Sequence, residues 1–207
     1  MAKKAFNQSA EPSARQLENF WRAAVEGNDG LVSRFVKKFG VEHLDDKFNN
    51  NQKTALMYAA TYEHPDVAQA LIDGGAKVNV ASGGTTALDW ALMSRSIKTL
   101  EVLVNAGADV NRKNFLGSFA LIMAMDLPYS FADSNPEAAT RNDSLRAAEL
   151  LVKAGAKLDA VDSRGRTARD IAAEKGRTEL VAFLDKAADE QNKRKPAPKA
   201  KRAAPSR

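Results

Sequence analysis

The sequence predicts an all-α solenoid of stacked helix pairs, because one short motif returns along the chain at a regular interval. The motif is a Thr or Phe followed by Ala and then a mostly apolar run. Its copies begin at Thr54, Thr86, Phe119 and Thr167. The first two intervals are 32 and 33 residues long, and the third is 48. A fixed interval of this length is typical of folds in which each unit packs only against its neighbours.

A second motif follows each of the first three copies. It reads Gly-Ala-Lys-Val-Asn at residues 75–79, Gly-Ala-Asp-Val-Asn at 107–111 and Gly-Ala-Lys-Leu-Asp at 155–159. The two motifs together resemble the ankyrin repeat family, whose units are a β-turn followed by two helices. The resemblance covers about residues 16–188 and implies about five helix-pair units joined by short β-hairpin-like turns.

Local signals within each unit agree with this resemblance. A Gly opens the turn, and the Thr hydroxyl is expected to cap the first helix. The second helix carries an apolar stripe at helical spacing, as in Val67, Leu71 and Ile72. Such a pair cannot bury its apolar face alone, so the units must stack. Residues 17–40 and the unit that begins at Thr167 depart from the motif and are predicted to be the two caps.

Two acidic residues stand where the family has a His. They are Asp89 and Asp170, and they follow the motif's Thr by three residues. A carboxylate is favoured near a helix N-terminus by the helix dipole. We therefore expect Asp89 and Asp170 to cap first-turn amides and to have no catalytic role.

Three segments are predicted to lie outside the regular stack. Residues 1–15 are expected to be flexible, and residues 127–143 form an inserted loop that accounts for the long third interval. Residues 189–207 are predicted to be a disordered basic tail, because 191–207 contain seven Lys or Arg and no Asp or Glu. The chain's formal charge of +5 therefore becomes −2 over residues 1–190.

The tail admits three interpretations. Residues 193–207 are expected to bind polyanions weakly through counterion release. They also resemble a nuclear-import signal if the source is eukaryotic, and they are compatible with a purely solubilising end.

Several classes of function are disfavoured by composition. The chain has no Cys, which excludes disulfides and thiol catalysis, and only two His, His43 and His64. No nucleophile–base pair or metal-ligand spacing is evident, so we expect no enzyme activity, cofactor or metal. No apolar run is long enough to cross a membrane, and the first residues lack the apolar core of a secretory signal. The expected location is the cytoplasm, or the nucleus if the source is eukaryotic.

The resemblance implies that partners contact the hairpin tips and the exposed side of the inner helices. We transferred these positions by their phase in the repeat and added the two aromatic residues of the insertion. The predicted contacts are Asn50, Asn51, Lys53, Tyr62, Ser82, Thr85, Met93, Lys113, Phe115, Leu116, Ser118, Tyr129, Phe131, Arg164 and Arg166.

Phe115 and Leu116 are the most unusual of these positions, because two apolar neighbours occupy a tip that should face water. Exposed apolar clusters mark interaction sites. The alternative is that Phe115 folds back onto an adjacent tip.

The predicted function is a non-enzymatic module that binds a protein partner. One alternative is a dedicated inhibitor or immunity-type protein that neutralises a single enzyme or toxin. The other is a nucleic-acid-associated protein tethered through the basic tail.

Overall fold

The computed structural model describes residues 11–40, 43–46, 53–127 and 136–194. These residues form ten α-helices and no β-strand, as the sequence predicts. The helices are α1 (Ala14–Glu26), α2 (Asp29–Phe39), α3 (Ala55–Thr61), α4 (Pro65–Asp73), α5 (Ala87–Met93), α6 (Ile97–Asn105), α7 (Ala120–Ala124), α8 (Pro136–Lys153), α9 (Ala168–Glu174) and α10 (Thr178–Arg194).

The helices form five consecutive pairs arranged in two layers. The odd-numbered helices pack side by side as an inner layer, and α2, α4, α6 and α8 pack side by side as an outer layer. Isolated β-bridges join Ser82 to Thr85 and Val161 to Thr167 in the turns between units. The architecture is therefore the predicted solenoid of helix pairs joined by hairpin-like turns.

Two capping boxes explain the acidic residues of the motif. In α5, one carboxylate oxygen of Asp89 accepts hydrogen bonds from the backbone N–H and the hydroxyl of Thr86, at 2.8 and 2.9 Å. Asp170 makes the same two contacts with Thr167 at 2.9 and 2.7 Å. The carboxylates thus bind the N-cap residue and not the first-turn amides that we expected. Their role is structural.

Asparagine side chains join successive units, which explains why the Val-Asn pair recurs. Asn79 Nδ2 donates to the carbonyl of Gly107 at 3.1 Å, and its Oδ1 accepts from the N–H of Asp109 at 2.8 Å. Asn111 repeats both contacts with Gly155 and Lys157, at 3.0 and 2.8 Å. Each of these Asn residues therefore fixes the loop of the next unit.

Three segment boundaries differ from the prediction. Helix α1 begins at Ala14, because Ser13 and Gln16 form a capping box, so it enters the segment 1–15 that we expected to be flexible. Helix α8 begins at Pro136, so residues 136–143 of the predicted loop are helical. Helix α10 continues to Arg194, so residues 189–194 of the predicted tail are also helical. Residues 1–10, 128–135 and 195–207 lie outside the described part.

Glu63 and Arg95 adopt left-handed backbone angles in the turns between paired helices, with φ of 60° and 56°. The corresponding position of the last unit is Gly176, with φ of 65°. Side chains with a Cβ are disfavoured in this region, whereas glycine enters it freely. Glu63→Gly should therefore raise the free energy of unfolding by about 0.5–1 kcal/mol in chemical denaturation. Glu63→Ala is the control and should bring no gain. Destabilisation by the glycine would contradict the assignment of strain.

Candidate functional site

The hairpin tips are shaped by Asn or Asp side chains that bind their own turn. Asn114 is 7% exposed, and its Oδ1 accepts from the N–H groups of Leu116 and Ser118 at 2.9 and 3.0 Å. Asp162 occupies the same phase in the next unit and accepts from the N–H groups of Arg164 and Arg166 at 2.8 and 2.9 Å. Both turns are therefore fixed, so the residues at their apices project in defined directions.

Phe115 and Leu116 lie at the apex of one such tip. Their exposed fractions are 57% and 64%, the highest of the large apolar residues in the described part of the chain. The alternative, that Phe115 folds back onto an adjacent tip, holds only for the base of the residue. A Cβ placed on Gly84 would lie 3.0 Å from the Phe115 Cβ. The tip thus packs closely on its neighbour while both apolar side chains remain largely in solvent.

A groove of about 510 Å³ runs beside this tip. Helix α7 has five residues, whereas α3, α5 and α9 have seven, and the short helix leaves space next to α9. The short side chain of Ser118 also leaves space, since the same repeat position holds the longer Lys53 and Arg166 in two other units. The lining residues are Leu92, Met93, Leu116, Ser118, Ile122, Met123, Asp126, Leu127, Asp162, Ser163, Arg166, Ile171 and Lys175. Most of them are apolar, so the floor favours apolar side chains.

The charged residues of the groove are paired with one another. Lys175 of α9 forms an ion pair with Asp126, which follows α7. Arg166 contacts Asp162 at 2.8 Å and Glu174 at 2.6 Å. The four charged residues that line the groove therefore balance one another, whereas Glu174, which lies outside the lining, shares Arg166 with Asp162.

Acid should disrupt the 161–166 tip only at strongly acidic pH. Hydrogen bonds from the Arg166 backbone N–H and guanidinium, with one from the Arg164 N–H, hold the pKa of Asp162 below its ordinary value. A group with a lowered pKa stabilises the fold fully above its unfolded pKa, and the contribution is lost as pH falls through the lower, folded pKa. The Arg166 amide shift in an NMR titration should therefore stay constant down to about pH 4 and change below it. A transition near neutral pH would contradict this account. Asp162→Asn is the control that should abolish the acidic transition.

Lys53 is a predicted contact that the structure places partly inside the stack. Its Nζ lies 3.3 Å from the centroid of the Trp90 ring and donates to the Thr61 hydroxyl at 3.3 Å. Burial lowers the pKa of Lys53. Tyr62 is 50% exposed beside it and stacks on Tyr58 with ring centroids 6.4 Å apart. Lys53 therefore packs against an aromatic side chain of the inner layer, and the Tyr62 ring is exposed to solvent.

The other predicted contacts divide into four groups. Met93, Leu116, Ser118 and Arg166 converge on the groove. Lys113 and Arg164 are exposed on the tips, and Ser82 is half-buried. Thr85 differs from the expectation: it is 5% exposed, and its backbone N–H and carbonyl pair with Ser82. Asn50, Asn51, Tyr129 and Phe131 lie outside the described residues.

Nine of the thirteen residues that line the groove are not among the predicted contacts, and two of the nine have an informative phase in the repeat. Met123 shares the phase of Tyr58 and Trp90, and Lys175 shares that of Tyr62. The same transfer by phase that located the tips would have found them.

Both histidines serve the fold. His64 Nε2 lies 2.8 Å from the carbonyl of Val25, and its ring packs where a Cβ at Gly27 would stand. His43 hydrogen-bonds Asp46, which raises the pKa of His43. Within the described ranges, no group of three or more His, Asp or Glu side chains could hold a metal ion. None of the described helices combines the length and apolarity needed to cross a bilayer.

Comparisons with known proteins agree with this geometry. The family model for ankyrin repeats, in three copies, matches residues 20–114. A curated relative, the ankyrin repeat domain-containing protein SAT10 of Stachybotrys chartarum, is 30% identical over 95 residues. That match covers 45% of this chain, and the chain spans 5% of the length of the relative. Residues 20–114 are therefore ankyrin repeats, and two further helix pairs follow them.

Proposed function

We propose that the chain is a non-enzymatic module that binds a protein through one surface, here called the tip surface. We define it as Lys53, residues 80–85, 112–118 and 161–166, and the groove between α7 and α9. Ankyrin repeats are in general protein-binding modules, and the tip surface is where this chain offers the chemistry for that role.

The observation that supports this proposal is the clustering of exposed apolar side chains. Six large apolar residues are exposed in the described part of the chain. Three of them, Phe115, Leu116 and Val161, lie on the tips, and Met93 lines the groove. Exposed apolar side chains that cluster in this way mark surfaces that bind a partner. A standard interface buries roughly 800 Å² on each side, which spans several neighbouring tips.

Replacing Phe115 and Leu116 together by Asp should weaken partner capture by about tenfold or more, because buried apolar anchors dominate interface energies. The test captures proteins from a lysate of the source organism on the tagged full chain and compares them by quantitative mass spectrometry. The circular dichroism spectrum should be unchanged, since both side chains are solvated in the free protein.

Leu31→Asp supplies the matched control. Leu31 is 41% exposed on α2 in the first unit, so the substitution adds a charge at a comparable exposed apolar residue away from the tips. A protein lost from the tip variant and retained by the Leu31 variant binds the tip surface. If both variants capture the same proteins as the native chain, the binding surface lies elsewhere.

A further inference from the structure

The tips carry a strong excess of positive charge. Lys53 and residues 80–85, 112–118 and 161–166 contain five cationic side chains and one anionic side chain. The second helices of the five pairs (α2, α4, α6, α8 and α10), by contrast, contain eleven acidic and ten basic residues. The tips, which carry the exposed Phe115, Leu116 and Val161, therefore have a net positive charge that these helices together lack.

The single anion of the tips is already engaged. The Asp162 side chain is 11% exposed and accepts hydrogen bonds from the Arg164 N–H and from the backbone and guanidinium of Arg166. Its charge is used to hold the turn and to balance Arg166, and it offers little to a partner.

Two cations remain open on either side of the apolar apex. Lys113 and Arg164 are both exposed, and neither forms an ion pair with any residue in the described ranges. Lys113 Nζ lies over the Phe119 ring at 5.2 Å from its centroid, so a ring face and not a carboxylate is its neighbour. Phe115 and Leu116 follow Lys113 within three residues on one tip. On the next tip, Arg164 occupies the repeat position that Leu116 occupies on this one.

We propose, resting on the function proposed above, that the partner presents an acidic segment with an aliphatic or aromatic anchor. The anchor enters the groove beside Met93 and Leu116, and the flanking carboxylates meet Lys113 and Arg164. The groove carboxylates Asp126 and Asp162 do not oppose this arrangement, because Lys175 and Arg166 pair with them. A groove of 510 Å³ accommodates a few large side chains.

A nucleic acid fits the same surface less well. Phosphates would satisfy Lys113 and Arg164, and a base would stack on Phe115. A polynucleotide has no aliphatic group to fill the groove, however, and Leu116, at 64% exposure, would stay uncovered. The apolar groove next to the cations therefore favours a polypeptide.

A random-peptide phage library selected on the immobilised full chain tests this chemistry. Enriched peptides should carry an excess of Asp and Glu around Leu, Phe or Trp. Lys113→Glu with Arg164→Glu should lower their affinity by about tenfold or more, measured by fluorescence anisotropy with the synthetic peptides. Replacing Lys199, Lys201 and Arg202 by Ser removes three cations from the tail and should leave the affinity nearly unchanged.

Each outcome decides a separate point. Peptides without acidic enrichment that still depend on Phe115 and Leu116 would overturn the acidic partner and leave the tip surface as a protein-binding site. Peptides that respond only to the tail variant, or no enriched peptides at all, would overturn both. The remaining outcome is that single-stranded RNA displaces the selected peptides and binds the Phe115 and Leu116 variant as tightly as the native chain. That result would assign the cations to nucleic acid.

Discussion

Leu103→Ala is expected to lower the free energy of unfolding by about 2–5 kcal/mol. Leu103 is fully buried in α6, which packs on α5 and between α4 and α8, so truncation leaves a cavity that rigid neighbours cannot fill. Urea denaturation followed by circular dichroism measures the loss. Glu101→Ala on the same helix is the control and should change the stability by less than about 0.5 kcal/mol.

The damage should also spread to the adjacent units. Stability in a solenoid depends on the contacts between neighbours, and α6 contacts helices of the units on both sides. Hydrogen exchange should therefore accelerate in α4 and α8 as well as in α6. An unchanged unfolding midpoint would mean that Leu103 does not support the stack.

Asp143→Ala is expected to lower the free energy of unfolding by about 1–3 kcal/mol, because it removes a carboxylate that accepts two hydrogen bonds from a partly buried guanidinium. One Asp143 oxygen accepts from Nε and Nη2 of Arg95 at 3.1 and 2.5 Å, and the Arg95 side chain is 10% exposed. This pair joins α8 to the turn between α5 and α6, at the last residue of the insertion. Limited proteolysis should show earlier cleavage at the start of α8.

Glu149→Ala provides the comparison for Asp143. Glu149 is exposed on the same helix and forms no ion pair within the described part of the structure, so its removal should leave both stability and cleavage unchanged. Equal behaviour of the two variants would show that the Arg95–Asp143 pair contributes nothing to holding α8.

The repeat architecture was predictable because two motifs recur with a fixed phase, whereas the ends of the long helices follow local signals that the repeat pattern does not contain. Pro136 is the first described residue of α8, and proline is tolerated in the first turn of a helix. The described part of α10 extends to Arg194. The capping box of Ser13 and Gln16 starts α1. These signals are present in the sequence and outweigh boundaries drawn from the period.

The candidate site was only partly predictable, because its shape depends on contacts between distant residues. Phase places Phe115, Leu116 and Arg164 on tips, but the groove exists because α7 is short and lies beside α9. Thr85 was misplaced because the Gly83–Gly84 turn draws its backbone into a bridge with Ser82. Such tight turns alter which side chain faces solvent without changing the phase of the repeat.

Hydrogen–deuterium exchange of the full chain, alone and with a captured partner, tests the central claim that partners bind the tip surface. The account predicts slower exchange in residues 112–118 and 161–166 and at the ends of α7 and α9 that border the groove. Exchange in the outer helices α4 and α6 should not change. Protection confined to the outer helices, with the tips unaffected, would contradict the claim.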